Sequence, residues 1–283
     1  MKQIIKRGSF FTLMFMLLGC LSLYAADNDL ITKQITIKLE EAGTLPDRIA
    51  SSKKYKITNL KIIGEINGTD LRMIREMAGR DYRGKSTDGK LSVLDLSEAK
   101  IVEGADYYCY KHGYYYHTSN DVIGDYAFED CSGLTSLTLP AGITEIGSSA
   151  FEDCIRLTSL TLPVGITSIG SSAFQYCSGL TSIYVYAEKV PKIGNGVFEG
   201  VDAKKCTVYV PMGTYNDYWL SDFGYYFENI VEFDATGIDK TTTSTDVEEV
   251  ARYSVNGQRL SAPTKGLNIV KYSDGSVKKV TVR

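Results

Sequence analysis

The chain has 283 residues, of which 31 are lysine or arginine and 34 are aspartate or glutamate, so its formal net charge is −3. This near balance argues against nucleic-acid binding and against strong electrostatic attraction to a membrane surface. Twenty tyrosines accompany one tryptophan and two histidines, a composition that favours contact with polar partners over acid–base chemistry.

Residues 1–26 have the features of an export signal. A basic start precedes an apolar segment from Ser9 to Tyr24, which is too short for a comfortable membrane span, and Ala25-Ala26 offers a cleavage site. The segment Leu17-Leu-Gly-Cys20 also resembles a bacterial lipobox, so lipidation of Cys20 stands as an alternative to simple cleavage. We therefore expect an exported protein, either secreted or at the cell surface or outer membrane.

The next segment, residues 27–56, is expected to form an N-terminal cap. Residues 34–40 alternate apolar and polar side chains as a strand does, and Thr44 to Ala50 has the pattern of a short helix with Pro46 in its first turn. A repeat region is predicted from residue 57 to 234, because residues 57–62 and 91–96 both fit the spacing L-x-x-L-x-L. Between them, Asp70 to Met77 is helical by pattern, with Thr69 as the predicted N-cap.

An insertion at residues 105–122 interrupts the repeats with six tyrosines, one cysteine and both histidines. We expect a β-hairpin that turns near His112-Gly113. Its tyrosines either cover the flank of the repeat region or recognise a partner, with Tyr114, Tyr115 and Tyr116 as candidate contacts. A metal site at Cys109, His112 and His117 is a third interpretation, but these donors are too few for the usual zinc spacing. We therefore predict no metal and no other cofactor.

A 23-residue period governs residues 123–177. The motif Ile-Gly-x-x-Ala-Phe-x-x-Cys-x-x-Leu-Thr-Ser-Leu-Thr-Leu-Pro occurs twice from Ile123 and Ile146, and a third, shorter copy begins at Ile169. Such a period with L-x-x-L-x-L inside it indicates a leucine-rich repeat solenoid, whose turns must stack to bury their apolar sides. One face is predicted to be a parallel sheet, and the other to be irregular or short helical backbone.

Phenylalanine, cysteine and glycine each recur at a fixed position of the repeat. Each is therefore expected to form a column of stacked residues inside the solenoid. Phenylalanines should stack as an aromatic spine, cysteines should pack as buried thiols without bridging, and glycines mark a position that requires either positive φ or close packing. These columns are Phe128, Phe151, Phe174 and Phe198; Cys131, Cys154 and Cys177; and Gly124, Gly147, Gly170 and Gly194.

The outward positions of the predicted strands form two further columns. One is Lys61, Asp95, Thr138, Thr161, Tyr184 and Tyr209, and the other is Asn59, Val93, Ser136, Ser159, Ser182 and Thr207. From the first column, Asp95, Thr138, Thr161, Tyr184 and Tyr209 are candidate binding residues for a peptide or a glycan. Alternatively, the hydroxyl groups simply solvate a parallel sheet.

The C-terminal part contains three predicted segments. Residues 212–234 should form a cap in which Thr214 to Phe227 covers the edge of the final strand. Residues 235–250 read as a linker rich in threonine and serine. Residues 251–283 carry seven basic residues and one acid, with hairpin signals at Asn256-Gly257 and Asp274-Gly275, and predict a small β-module.

Motifs of common enzymes are missing from the sequence, which contains no H-E-x-x-H, G-x-S-x-G or phosphate-binding loop. Stacked repeats also present open faces that exclude water poorly. We therefore predict a non-enzymatic monomer that binds a host or bacterial surface protein. Glycan binding and a passive structural role are the alternatives.

The repeat motif resembles that of the BspA-like leucine-rich repeat surface proteins of anaerobic Gram-negative bacteria, with degenerate copies from Ile57 to Glu232. This resemblance implies a right-handed, β-rich α/β solenoid with a parallel sheet face, and a role at the surface or in secretion; some members are adhesins for host matrix proteins.

The tail from Tyr253 to Arg283 resembles the C-terminal sorting domains of type IX secretion cargo. That similarity implies an address or anchoring module, and a membrane contact only through this tail or a lipid anchor.

Overall fold

A computed structural model describes residues 30–104, 106–235, 249–254, 259–260, 262, 264–272 and 277–282. The predicted export signal, Cys20, most of the predicted linker and the turns at Asn256-Gly257 and Asp274-Gly275 lie outside these residues. Within the described residues, no helix combines the length and apolar composition needed to cross a membrane.

The N-terminal part agrees with the predicted strands and with the helix from Asp70 to Met77, but in place of one helix from Thr44 to Ala50 it has two short ones. Its elements are β1 (Ile35–Lys38), α1 (Leu45–Arg48), α2 (Ser51–Lys54), β2 (Asn59–Ile66), α3 (Gly68–Met77) and β3 (Val93–Ile101). The predicted N-cap of α3, Thr69, is wrong, because Asn67 occupies that position. The Asn67 side chain accepts a hydrogen bond from the Thr69 backbone N–H, and the Asp70 carboxylate accepts one from the Asn67 backbone N–H. These two bonds satisfy backbone N–H groups at the start of the helix, which have no partner within the helix itself.

The insertion folds as the predicted hairpin, and the repeats follow it as pairs of short strands. These elements are β4 (Cys109–Lys111), β5 (Tyr114–Tyr116), β6 (Val122–Ile123), β7 (Ser136–Thr138), β8 (Glu145–Ile146), β9 (Ser159–Leu162), β10 (Ser168–Ile169), β11 (Ser182–Val185), β12 (Lys192–Ile193) and β13 (Thr207–Pro211). Strands β4 and β5 are antiparallel, and both turn residues, His112 and Gly113, have positive φ, as a tight hairpin turn requires.

Parallel strands line two sides of the stacked turns. The main sheet comprises β1-β2-β3-β7 followed by β9-β11-β13, and its two parts adjoin where the Thr158 backbone N–H donates to the Thr135 carbonyl at 3.2 Å. A second parallel sheet, β6-β8-β10-β12, lies on another side of each turn. The expectation of irregular or short helical backbone away from the main sheet is correct only in part. Turn backbone occupies residues 125–130, 148–153 and 171–176, whereas Glu145-Ile146 and Ser168-Ile169 form a short parallel ladder whose isoleucines point inward.

The phenylalanine column is confirmed as an aromatic spine. Phe128, Phe151, Phe174 and Phe198 are all buried, and successive ring centroids lie 5.3, 5.1 and 5.7 Å apart with interplanar angles of 4°, 4° and 10°. The inward leucines and isoleucines of the strands complete one continuous core. Because the rings stack at the spacing of the turns, each ring fills the space above and below its neighbours.

Backbone hydrogen bonds join each turn to the next on the side of this spine. Phe128 donates to the carbonyl of Ala150, Phe151 to Ala173 and Phe174 to Val197. Threonine side chains reinforce the turns elsewhere, since each donates its hydroxyl proton to a carbonyl one turn earlier. These side-chain bonds are Thr135 to Ser92, Thr158 to Thr135, Thr181 to Thr158, Thr144 to Asp121 and Thr167 to Thr144.

The recurrent glycines are required for close packing and not for positive φ. A Cβ at Gly170 would lie 2.5 Å from the Ser148 backbone nitrogen, and the φ of Gly170 is outside the left-handed region. Left-handed backbone occurs instead at non-glycine positions that recur once per turn, among them Tyr126, Ser149 and Ser172. Neighbouring turns therefore approach too closely at the glycine column for any side chain.

The C-terminal cap consists of α4 (Tyr215–Trp219), α5 (Asp222–Tyr226) and a further strand, β14 (Ile230–Phe233). The rings of Phe223 and Phe227 close the end of the aromatic spine, with centroids 5.7 and 5.0 Å from that of Phe198. The prediction that Thr214 to Phe227 hides the edge of the final repeat strand was wrong. Strand β14 pairs with β13 in parallel and covers that edge instead.

The C-terminal module has four antiparallel strands in the order β16-β15-β17-β18: β15 (Glu249–Ser254), β16 (Arg259–Leu260), β17 (Gly266–Tyr272) and β18 (Val277–Val282). Its first strand begins two residues before the predicted boundary. The buried Arg252 guanidinium donates to the Asn268 side chain at 3.1 Å, and Asn268 also bonds the backbone of Thr264. These bonds tie the loop before β17 to the sheet.

Removing one ring of the spine should destabilise the solenoid. We expect Phe151→Ala to lower the free energy of unfolding by about 3–5 kcal/mol, because it leaves a cavity between two stacked rings. Urea unfolding followed by circular dichroism measures the change. Ile155→Ala, at an exposed position of the same turn, is the control and should change stability little. Equal effects of the two substitutions would contradict the role assigned to the spine.

The glycine column allows a matched comparison. Gly170→Ala should cost roughly 1–3 kcal/mol, because its new methyl group meets the backbone of the preceding turn. At Gly165 the nearest atom to an added Cβ is the Ile143 carbonyl oxygen at 3.6 Å, an ordinary contact, so Gly165→Ala should be neutral within about 1 kcal/mol. Thermal unfolding of both variants measures the difference. A Gly170→Ala variant as stable as the unmodified chain would refute the close approach of the two turns.

Candidate binding surfaces

The register of the main sheet produces the two predicted outward columns. Lys61 pairs with Asp95 and Asp95 with Thr138, while Thr161 pairs with Tyr184 and Tyr184 with Tyr209. The second column follows the same register two residues earlier in each strand. The sheet therefore presents rows of side chains along the whole stack of turns.

The N-terminal end of the first column is charged and internally neutralised. The Lys61 ammonium lies 2.7 Å from Glu98 and 3.2 Å from Asp95. Burial opposes ionisation of Asp95, yet hydrogen bonds from Ser97 and Lys61 hold the pKa of Asp95 below its ordinary value. Asp95 is thus paired within the sheet, and its carboxylate is less available to a ligand than its position in the column implied.

The C-terminal end of the sheet is aromatic. The rings of Tyr184 and Tyr209 stack at 4.5 Å with an interplanar angle of 8°, and Phe233 meets Tyr184 at 6.0 Å and Tyr186 at 5.0 Å, both edge to face. Val231 lies beside Tyr209 in register and is exposed. We call these five residues the aromatic patch. All four rings are half-buried, so they are fixed by packing and still reach solvent.

Two rings of the aromatic patch, and Val231 with them, were missed by sequence reasoning. Tyr186 follows Tyr184 by two residues and therefore shares its face, a signal present in the alternation of the strand. Phe233 had no such signal, because β14 was not predicted as part of the sheet.

The tyrosine hairpin has a buried side and an exposed side. Tyr108 is fully buried and donates its hydroxyl proton to the Asp125 carbonyl at 2.8 Å, and burial raises the pKa of its phenol. Tyr116 packs edge to face on Tyr126 at 5.1 Å. In contrast, Tyr114 is 70% exposed and Tyr115 is also exposed. The hairpin therefore covers the flank of the repeats with one set of tyrosines and presents another set to solvent.

The exposed tyrosines continue into a cluster that includes an arginine. Tyr115 contacts Tyr110 at 4.7 Å and Tyr107 at 4.5 Å, and the Arg72 guanidinium lies 4.9 Å from the ring of Tyr107. The same guanidinium is 4.2 Å from the ring of Tyr82. These contacts, together with an ion pair at 2.7 Å between Lys111 and Glu129, hold the hairpin in one orientation.

The metal candidates of the hairpin do not converge. Cys109 is buried, whereas His112 and His117 are exposed and lie against different rings, those of Tyr126 and Tyr107. Among the residues that the structure describes, no three histidine, cysteine, aspartate or glutamate side chains cluster in a way that would hold a metal.

The cysteine column packs as predicted. Cys131, Cys154 and Cys177 are buried free thiols, and the Sγ atoms of Cys154 and Cys177 donate to the carbonyls of Phe128 and Phe151 at 3.3 and 3.1 Å. Burial raises the pKa of Cys131 to about 11 and that of Cys177 to about 12. At neutral pH these thiols are protonated and unreactive, because the thiolate is the nucleophilic form.

A cleft of about 290 Å³ lies between the N-terminal helices, with Ile49, Lys54, Arg72, Met73 and Glu76 among its lining residues. Lys54 and Glu76 form an ion pair at 2.6 Å, and no histidine or cysteine lines the cleft. Two of its charged side chains are therefore engaged with each other, and the lining residues offer no pair of a nucleophile and a histidine base.

A match to a protein-family model supports the repeat architecture. Residues 100–222 match the family model of the BspA type leucine rich repeat region, in six copies. Among solved structures, the chain is similar to a leucine-rich repeat protein from Bacteroides ovatus, with 21% identity and a TM-score of 0.35. That match covers 70% of this chain and 42% of the other, so the chain spans less than half the length of that protein. A comparison with curated proteins found no match.

The family match and the parallel ladders together define a β-rich α/β leucine-rich repeat solenoid. The matched segment, 100–222, is shorter than the stretch from Ile57 to Glu232 over which the sequence predicted repeat copies. The similarity of the tail to type IX sorting domains stays a prediction.

The buried thiols predict a loss of stability at high pH. Their pKa values are higher in the folded chain than in the unfolded chain, so the stabilisation is complete at neutral pH. It is lost as pH rises from about 9 towards 12. When the pH is raised from about 8 to about 11, the free energy of unfolding should therefore fall by about 2 kcal/mol less in Cys177→Ala than in the unmodified chain.

Urea unfolding at the two pH values measures this difference. Ser178→Ala, at the exposed neighbouring position, is the control and should keep the full pH dependence. The same loss in all three proteins would contradict the assignment to the thiols.

Proposed function

We propose that this chain is an exported, non-enzymatic repeat protein that binds a protein partner, as an adhesin does. The observation that carries the proposal is the aromatic patch, in which packed tyrosine and phenylalanine rings reach solvent at the C-terminal end of the main sheet. Aromatic side chains are enriched at the centres of protein interfaces, and tyrosine loses little conformational entropy when it is already held.

The exposed side of the tyrosine hairpin is the second contact region in this proposal. Its cluster of Tyr107, Tyr110 and Tyr115 is held by contacts between rings and by Arg72. The rings are tilted by 46–50° to one another, so they form an uneven surface into which side chains of a partner can fit. Both regions lie on rigid elements, which favours recognition with little rearrangement.

Glycan binding is the second candidate, and it is supported by the hydroxyl groups of Thr138 and Thr161 beside the tyrosines of the same column. A sugar ring would use the flat face of an aromatic ring. Tyr184 and Tyr209 instead stack on each other, which leaves mainly their edges towards solvent. This geometry favours a protein partner over a glycan. A passive structural role is the outcome if neither ligand class binds.

The proposed location is the cell surface, the outer membrane or the medium. The predicted export signal at residues 1–26 and the family match support it, as does the predicted similarity of the tail to sorting domains. Under this proposal, Cys20 or the C-terminal tail is the means of attachment. The open sheet and the engaged side chains of the N-terminal cleft support the non-enzymatic part of the proposal.

A capture experiment tests the proposal. We expect the chain from residue 27 onward, immobilised, to retain a protein from a host matrix or bacterial surface extract. Tyr184→Ala with Tyr209→Ala should weaken retention at least tenfold, because central aromatic contacts each contribute about 2 kcal/mol or more. Tyr114→Ala with Tyr115→Ala tests the hairpin in the same way.

The matched control is Thr138→Ala with Thr161→Ala, which changes the same column without removing a ring. Circular dichroism should show that all variants remain folded. No retained protein, or equal retention by the tyrosine and threonine variants, would refute binding through the aromatic patch. Binding on a glycan array that the tyrosine changes abolish would select the second candidate.

A further inference from the structure

The outer surface of the C-terminal cap is unusually apolar for the end of a solenoid. Terminal repeats normally present a polar outer face, yet Leu220 is 84% exposed, Tyr225 83% and Met212 71%. Tyr215 and Trp219 are also exposed, and their rings are parallel at a centroid distance of 6.0 Å. We call these five residues and the acidic residues around them the acidic cap face. Exposed apolar surface of this kind marks an interaction site.

The charge of the cap segment itself has a single sign. Residues 207–235 contain five acidic residues and no lysine, arginine or histidine. All five are exposed: Asp217, Asp222, Glu228, Glu232 and Asp234. The Glu232 carboxylate accepts hydrogen bonds from the backbone of Gly213 and Tyr215 at 2.9 Å, which places its charge beside the exposed rings. A matching surface must therefore combine apolar groups with positive charge.

We infer that the acidic cap face docks the basic C-terminal β-module of the same chain. Residues 249–283 carry seven lysines and arginines against one glutamate and one aspartate, and six of the seven remain besides the buried Arg252, so the module complements the single-sign charge of the cap. The structure shows the face exposed, so docking is a second arrangement of the chain. A second copy of the cap does not fit, because two acidic faces repel each other.

The covalent connection favours this occupant over an outside partner. Residues 236–248 join the cap to the module and span at most about 45 Å when extended. A tether of this length holds the module at an effective concentration on the order of millimolar. A contact with only millimolar affinity is then occupied about half of the time, and screening by salt should release it. The inference uses a different surface from the aromatic patch and stands independently of the proposed partner.

Trp219 is the only tryptophan of the chain and lies on the acidic cap face, so its fluorescence reports on docking. We expect acrylamide quenching of Trp219 in the full chain to rise about twofold between about 20 mM and about 500 mM NaCl. At low salt, the variant Lys271→Glu, Lys278→Glu, Lys279→Glu should show the high quenching directly. The control Lys53→Glu, Lys85→Glu, Lys90→Glu changes three exposed lysines at the other end of the repeats and should match the unmodified chain.

A charge swap separates docking from damage to the module. Asp217→Lys with Glu228→Lys should also raise quenching, and combining it with the three module substitutions should restore the low value. Quenching that is indifferent to salt and to both sets of changes would overturn the inference, as would failure of the swap to restore protection. Protection that depends on protein concentration would also overturn it, because it would identify a second molecule as the occupant.

Discussion

Each turn of this solenoid is hydrogen-bonded to the next at equivalent positions, and the rest of the structure depends on that constraint. Phe128, Phe151 and Phe174 each donate a backbone hydrogen bond to the following turn, while threonine hydroxyl groups donate to the preceding one. A turn therefore cannot satisfy its own polar groups, and it cannot bury its own phenylalanine. The repeat must return at 23 residues so that donors, rings and the closely packed glycines all meet their counterparts.

This constraint divides the chain into positions that must repeat and positions that are free to differ. The phenylalanine, cysteine and glycine columns keep one residue type, because a changed ring, thiol or glycine would disturb both neighbouring turns. The outward columns carry no such requirement, and they change from paired charges around Lys61 to tyrosines at Tyr184 and Tyr209. The features that distinguish this protein accordingly lie on the outward sheet face, in the tyrosine hairpin and on the acidic cap face.

The sequence was sufficient for most features that its period encodes, although it missed the second parallel sheet, β6-β8-β10-β12. The aromatic spine, the buried thiols, the outward columns and the hairpin turn at His112-Gly113 all follow from spacing and turn chemistry. Features that depend on contacts distant in sequence could not be predicted. The fully buried Arg75 of α3 donates to the carbonyls of Tyr126 and Ala127, about 50 residues away, and thereby joins the N-terminal part to the first regular turn. Phe233 reaches the aromatic patch only because β14 extends the sheet.

Deleting one whole repeat tests the central claim most directly. Removing Ile146 to Ser168, 23 residues, brings Ile169 to the position that Ile146 held, so the spine and the ladders should close again. We predict a folded protein with a single cooperative urea transition and a stability lower by about one repeat. Removing Gly147 to Ser168, 22 residues, shifts every later side chain by one position and should abolish cooperative unfolding. Similar unfolding curves for the two deletions would contradict the account.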